Sequence, residues 1–76
     1  MFTIVSYRAE GPKDNFTRLG SATAIYAEKT KQAAVEALEY EAAQLRKTGA
    51  EVIQCDEETY LVIDESDRVC KVLEIV

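Results

Sequence analysis

Tyr60-Leu61-Val62-Ile63 and, after a short acidic turn, Val69-Cys70-Lys71-Val72-Leu73-Glu74-Ile75-Val76 decide how this chain is read. Both segments have the β-branched and long apolar residues of strands, and residues 60–63 are apolar at every position, so alternate side chains on both faces need cover. Phe2-Thr3-Ile4-Val5-Ser6-Tyr7 poses the same problem at the other end of the chain. Its period-two alternation predicts a strand over residues 2–8.

Working outward, residues 9–15 contain Gly11-Pro12 and Asp14-Asn15 and read as a loop. A second strand is expected within residues 16–27, where Gly20-Ser21 suggests a bulge and Thr23, Ile25 and Tyr26 favour extended chain. A helix starting near Ala22 is the competing reading. From Thr30 the period changes: Val35, Leu38, Ala42 and Leu45 recur at the spacing of an amphipathic helix. Thr30 suits its N-cap, Arg46 and Lys47 its negative end, and Gly49 a left-handed stop. Three further strands follow over residues 51–55, 59–64 and 69–75, joined by Asp56-Glu57-Glu58 and Glu65-Ser66-Asp67-Arg68.

The expected fold is therefore α+β, a single domain over residues 1–76 with the order ββαβββ. One amphipathic helix packs across a mainly antiparallel five-stranded sheet. A helix of about 17 residues spans about 25 Å at 1.5 Å per residue, enough to return the chain to the far end of the sheet. Strand three then runs parallel to strand two, so an all-antiparallel sheet requires strand one inside. The two orders that satisfy this are 2-1-3-4-5 and 2-1-5-4-3.

Five strands about 4.8 Å apart make a sheet about 20 Å wide, against about 10 Å for a helix with its side chains. The expectation is that half of one face is covered and none of the other. Val5, Tyr7, Tyr60, Val62 and Val72 are the candidates for the bare surface, and an open apolar face marks a contact with another protein. The competing expectation is that curled edges and long Lys and Glu stems cover enough of the sheet for a monomer.

Charge narrows the partners. Residues 1–31 carry five bases and three acids, net +2, and residues 32–76 four bases and eleven acids, net −7, giving −5 for the chain. Such a balance repels phosphate backbones, so direct nucleic-acid binding is not expected. A sheet of the base-stacking type would need Tyr7 and Tyr60 on one face, and the acidic turns around Tyr60 argue against it. No apolar run is long enough for a membrane span and the N-terminal residues lack the features of a secretory signal, so a cytoplasmic protein is expected.

The acids Asp56, Glu57, Glu58, Asp64, Glu65 and Asp67 fall in two turns at opposite ends of strand four. At about 3.3 Å per residue these turns are too far apart to share a metal ion, and neither has the ligand spacing of a calcium loop. They read either as solvated turns, locally paired with Lys29 and Lys31 at one end and Arg46 and Lys47 at the other, or as a negative rim that attracts a basic partner. Tyr40 lies nearly opposite the apolar stripe, grouped with Ala33, Ala37 and Gln44. That is either a docking face or ordinary helix surface.

Catalytic equipment is sparse: the chain has no histidine, no glycine-rich phosphate loop and no nucleophile elbow. Cys55 and Cys70 are expected as packed, reduced thiols on strands separated by strand four. The reading is a non-enzymatic protein-interaction module needing neither cofactor nor metal, self-associating or partner-binding through an open sheet face or an edge. Its contact residues are Tyr7, Tyr40, Tyr60 and Val62. The alternative is an inhibitor of the kind carried by phages or mobile elements, its acids occupying the basic nucleic-acid site of a host protein.

Overall fold

In the computed structural model, which describes residues 1–76, the elements are β1 (Phe2–Gly11), β2 (Thr17–Glu28), α1 (Lys31–Lys47), β3 (Glu51–Asp56), β4 (Thr59–Ile63) and β5 (Val69–Ile75). All neighbours are antiparallel and the sheet order is β2-β1-β5-β4-β3, the second of the two orders that the helix length allows. The first strand is longer than its alternation suggests. It runs on past Arg8 through Ala9 and Glu10 to Gly11, residues expected in the loop, pairing with β2 as far as Glu10↔Thr17.

The helix forms where its caps allow. The Thr30 hydroxyl accepts from the Ala33 amide at 3.1 Å, satisfying one of the free amides of the first turn. At the other end the amides of Gly49 and Ala50 donate to Arg46 and Leu45 carbonyls at 3.0 and 3.2 Å, and Gly49 takes φ +95. The face that packs is Ala34, Leu38 and Ala42, with Leu45 against the same cluster, so of the stripe expected from spacing only Val35 falls outside and Ala34 takes its place. Two alanines let the helix approach the sheet closely and let Leu38 enter a layer made by Ile4, Val52, Tyr60, Val62 and Leu73. Full burial of a side chain such as Leu38 or Leu73 contributes about 1.5–3 kcal/mol.

The opposite face is where the expectation fails. Val72 is 0% and Leu61 3% exposed in the single chain, and Val5, Ala9, Ile63 and Val69 are buried too. Leu61, Ile63, Val69, Val72 and Ala9 form a second apolar cluster, against which Tyr7, Ile53 and Phe16 pack. The cover comes from the β1–β2 connection. A Cβ on Gly11 would stand 2.8 Å from the Phe16 Cα and 3.0 Å from the Asn15 carbonyl oxygen, so the connection folds back tightly on the end of β1. Phe16 thereby reaches the second cluster, and Lys13 ties the connection to the β4–β5 turn through Asp67 at 2.8 Å.

Val5 and Val72 are thus core residues of the second face. Tyr60 and Val62, at 3% and 7% exposure, lie under the helix on the first. Of the residues expected on a bare surface only Tyr7 keeps partial exposure.

Gly11 at φ +135 and Gly49 at φ +95 both hold backbone conformations that cost other residues about 1–3 kcal/mol. Only Gly11 also lacks room for a Cβ. Gly11→Ala is expected to lower the urea midpoint, followed by far-ultraviolet circular dichroism, by clearly more than Gly49→Ala does.

Candidate protein-interaction surface

A five-stranded open sheet leaves two edges, and the sequence treats them differently. On β3 the edge is short, begins at Glu51 and ends at Asp56, and the Arg46 guanidinium donates to the Val52 carbonyl at 2.8 Å. Charge at both ends and a side chain bonded to the backbone discourage further pairing. The other edge, β2, has no charged residue between Arg18 and Glu28, and most of its side chains are exposed. Its single inner neighbour is β1, so its outer backbone groups face away from the sheet. Two register shifts interrupt it: Ile25 is extra between the Ile4↔Tyr26 and Val5↔Ala24 pairs, and residues 20–22 oppose Tyr7 alone. Such bulges twist an edge and limit the length of ladder that it can offer.

Beside this edge lies the exposed flank of the helix. Tyr26 is 37% and Tyr40 57% exposed. The Tyr26 hydroxyl donates to Glu41 at 3.3 Å, and the Glu41 charge, foremost, with loss of hydration and the neighbouring Tyr40, raises its pKa above the ordinary phenol value. Ala33, Ala37 and Gln44, the residues grouped with Tyr40, are half-buried, and Ala37 packs on the first cluster. The remaining surface here is two aromatic rings on a floor of small side chains.

The other residues singled out from sequence are dispersed. Tyr7 sits on the second face with the Arg18 guanidinium 4.6 Å from its ring centre. Burial, then the Glu74 charge, raise its pKa although Arg18 acts in the opposite direction. Tyr60 lies beneath Arg46 on the first face, its pKa raised by burial and then by Glu39. The two tyrosines are on opposite faces, so they do not form a stacking platform, and Tyr60 and Val62 are not available to a partner.

The acids divide by task. Asp56 accepts from the Glu58 amide at 2.8 Å, and Asp64 from the amides of Ser66 and Arg68 at 2.8 and 3.2 Å, so each builds its own turn. Asp67 holds φ 62, a conformation aspartate tolerates. Glu58 meets Lys31 at 3.7 Å, as the topology suggests, but Asp67 pairs with Lys13 instead of Arg46 or Lys47, because the β1–β2 connection folds over that end. Glu57 and Glu65 remain exposed without an ion-pair partner. No three Cys, Asp or Glu side chains come together as a metal-holding group.

Of the two free cysteines Cys70 packs on the first cluster as expected, whereas Cys55 does not. Cys70 is half-buried at a bulge in β5, its thiol 3.4 Å from the Val62 carbonyl. Cys55 is exposed, because it is the unpaired residue between the Gln54↔Tyr60 and Asp56↔Thr59 pairs. Partial loss of hydration, then the Asp56 charge, push its thiol pKa up. This is the reverse of an activated nucleophile. No helix is long and apolar enough to cross a membrane.

What β2 and the tyrosines could not reveal from sequence was their adjacency. The edge position of β2 was legible from topology, and its lack of charge from composition, but Tyr26 gave no signal until the helix was placed beside it. Comparison with protein-family models, with curated proteins and with solved structures finds no match to this chain.

Two outcomes follow from these positions. Val62→Lys places an ammonium under the helix and is expected to abolish the cooperative thermal transition, with no folded monomer recovered on gel filtration. Alkylation of Cys55 in a Cys70→Ala background is expected to show a pH midpoint above that of a free cysteine thiol, moving down in Asp56→Asn.

Proposed function

We propose that this chain is a non-enzymatic protein-interaction module, and that its contact surface is the β2 edge with Tyr26 and Tyr40, the partner being a second copy. The observation that carries the proposal is the coincidence of an exposed edge strand, uncharged from Leu19 to Ala27, with two exposed tyrosines, Tyr26 on that strand and Tyr40 on the adjoining helix flank. Edge strands that natural proteins leave unpaired are usually guarded by charge, as β3 is. Tyrosine supplies large contact area at low entropic cost.

A second copy fits the charge distribution. Self-association of a chain with net charge −5 is opposed by repulsion. β2 and β3 are the opposite edges of the sheet, and β1 separates β2 from the acidic β3–β4–β5 meander, so joining two β2 edges keeps the acidic turns of the copies away from the contact. The bulges restrict the new ladder to short stretches on either side of Ile25, which makes the tyrosines the principal anchors. The same geometry replaces the open-face contact, whose apolar residues are already buried within one chain.

A second reading is supported by Glu57 and Glu65, exposed acids without ion-pair partners at the two turns: an inhibitor occupying a basic site on a host protein. Sedimentation equilibrium separates the two. Self-association through β2 predicts a mass rising with concentration from 8.5 kDa towards twice that value, and return to the single-chain mass in Ala24→Lys and Tyr40→Glu. A mass independent of concentration up to the millimolar range rejects the second-copy reading. Capture of a basic partner that weakens steeply with added salt and in Glu57→Lys/Glu65→Lys then favours the inhibitor.

A further inference from the structure

The helix leaves one corner of its own sheet face open. The cross-strand row through that corner is Leu19, Arg8, Lys71, Val62 and Val52, as given by the pairings Arg8↔Leu19, Arg8↔Lys71, Val62↔Lys71 and Val52↔Val62. Val62 and Val52 are under the helix, whereas Arg8 is exposed and Lys71 half-buried. Two cations therefore face each other on adjacent central strands, an arrangement that costs stability because directly opposed like charges repel. Neither has an acid within ion-pair distance, the two ion pairs of the molecule being Lys13–Asp67 and Lys31–Glu58. In a chain with net charge −5 this is an unexpected place to leave two positive charges uncompensated.

The pair lines a groove of about 410 Å3 whose other walls include Ser6, Ser21, Thr23 and the backbone at Gly20. Ser6 pairs with Thr23 on β2, so their hydroxyls line the same side as Arg8 and Lys71. The β2 bulge at residues 20–22 borders the groove on the outer side. Nothing stands within 4 Å of where a Gly20 Cβ would be, so that wall is open to a ligand. Arg8 also lines the adjoining groove, where Glu10 and Asp64 stand with Arg68; neither acid is within ion-pair distance of Arg8, and one Asp64 carboxylate oxygen is committed to two amides of its turn.

We infer that this corner binds a phosphate monoester or inorganic phosphate, held between the Arg8 guanidinium and the Lys71 ammonium with Ser6, Ser21 and Thr23 as hydroxyl donors. Arginine offers a planar fork that matches two phosphate oxygens, and lysine a compact charge. Hydroxyl donors suit the remaining oxygens of a tetrahedral anion, which has more acceptors than a carboxylate. A bound dianion replaces the repulsion between the two cations by attraction to a common centre. The two cations stand on β1 and β5, inside the sheet, whereas Gly20, Ser21 and Thr23 come from β2 and so adjoin the proposed contact edge.

Titration of the 15N-labelled full chain with inorganic phosphate, and separately with phenyl phosphate, at ionic strength held constant with sodium chloride, tests the assignment. Saturable amide shifts at Ser6, Arg8, Gly20–Thr23 and Lys71 are expected. Arg8→Gln and Lys71→Met should each weaken the apparent affinity about fivefold or more, the factor corresponding to about 1 kcal/mol, while Lys47→Met leaves it unchanged. Phosphate alone saturating the site indicates the free anion, and tighter phenyl phosphate a monoester. Absence of saturation, shifts centred elsewhere, or affinity that survives both substitutions overturns the inference. So does a single-stranded oligonucleotide binding where neither small phosphate does, since that would assign the corner to a polymer backbone.

Discussion

Phe16 can reach the second face of the sheet because Gly11 has no side chain, and the burial of that face follows from it. With the Phe16 Cα where a Gly11 Cβ would almost touch it, the connection between the first two strands lies flat against the sheet instead of projecting into solvent. Leu61, Val72 and their neighbours then lose their water to Phe16, Tyr7 and Ile53, with no second helix present. The helix, for its part, needs only Ala34, Leu38 and Ala42 to seal the first face, because small residues on either side of Leu38 bring its axis near. A chain this short buries a limited share of its surface, so two thin covers in place of one thick layer is an economical use of its residues.

Once both faces are closed, the surface available for recognition is reduced to edges and corners. β3 is closed by Arg46 and by acids at its ends. β2 is left, with the helix flank beside it, and so is the corner that the helix does not cover. These two differ in chemistry: an aromatic strip with Glu41 beside its tyrosines, and a cationic, hydroxyl-lined hollow. The acids, which dominate the composition, contribute less to recognition than their number implies, since Asp56 and Asp64 are spent on turn amides and Glu58 and Asp67 on lysines.

The legible parts of the fold were those with a local signature. Thr30, Gly49 and the three-and-four spacing define the helix, and its length limits the strand orders to two. What a local pattern cannot give is parity. Residues 60–63 are apolar at every position, so nothing along the strand says that Tyr60 and Val62 face the helix while Leu61 and Ile63 face away. The bulge at Cys70 obscures it further, by shifting the register of β5 between Val69 and Lys71. Phe16 was read as the start of a strand because its return to the sheet depends on a contact with Gly11, five positions earlier, and on an ion pair with a turn from the other end of the chain. Among the site residues, Tyr40 was placed on its exposed face by helical geometry, whereas Arg8 and Lys71 become neighbours only when β1 inserts beside β5.

That insertion also governs how the molecule is made. β1 and β5 hold the middle of the sheet together yet are separated by nearly the whole chain, as in the pairing Ile4↔Ile75. Contacts so distant in sequence slow folding, because loop closure must precede the reward. During synthesis the β1–β2 hairpin precedes β5 and lacks that central neighbour until β5 appears. Its twice-apolar first strand thus lacks its central partner until the last strand is made.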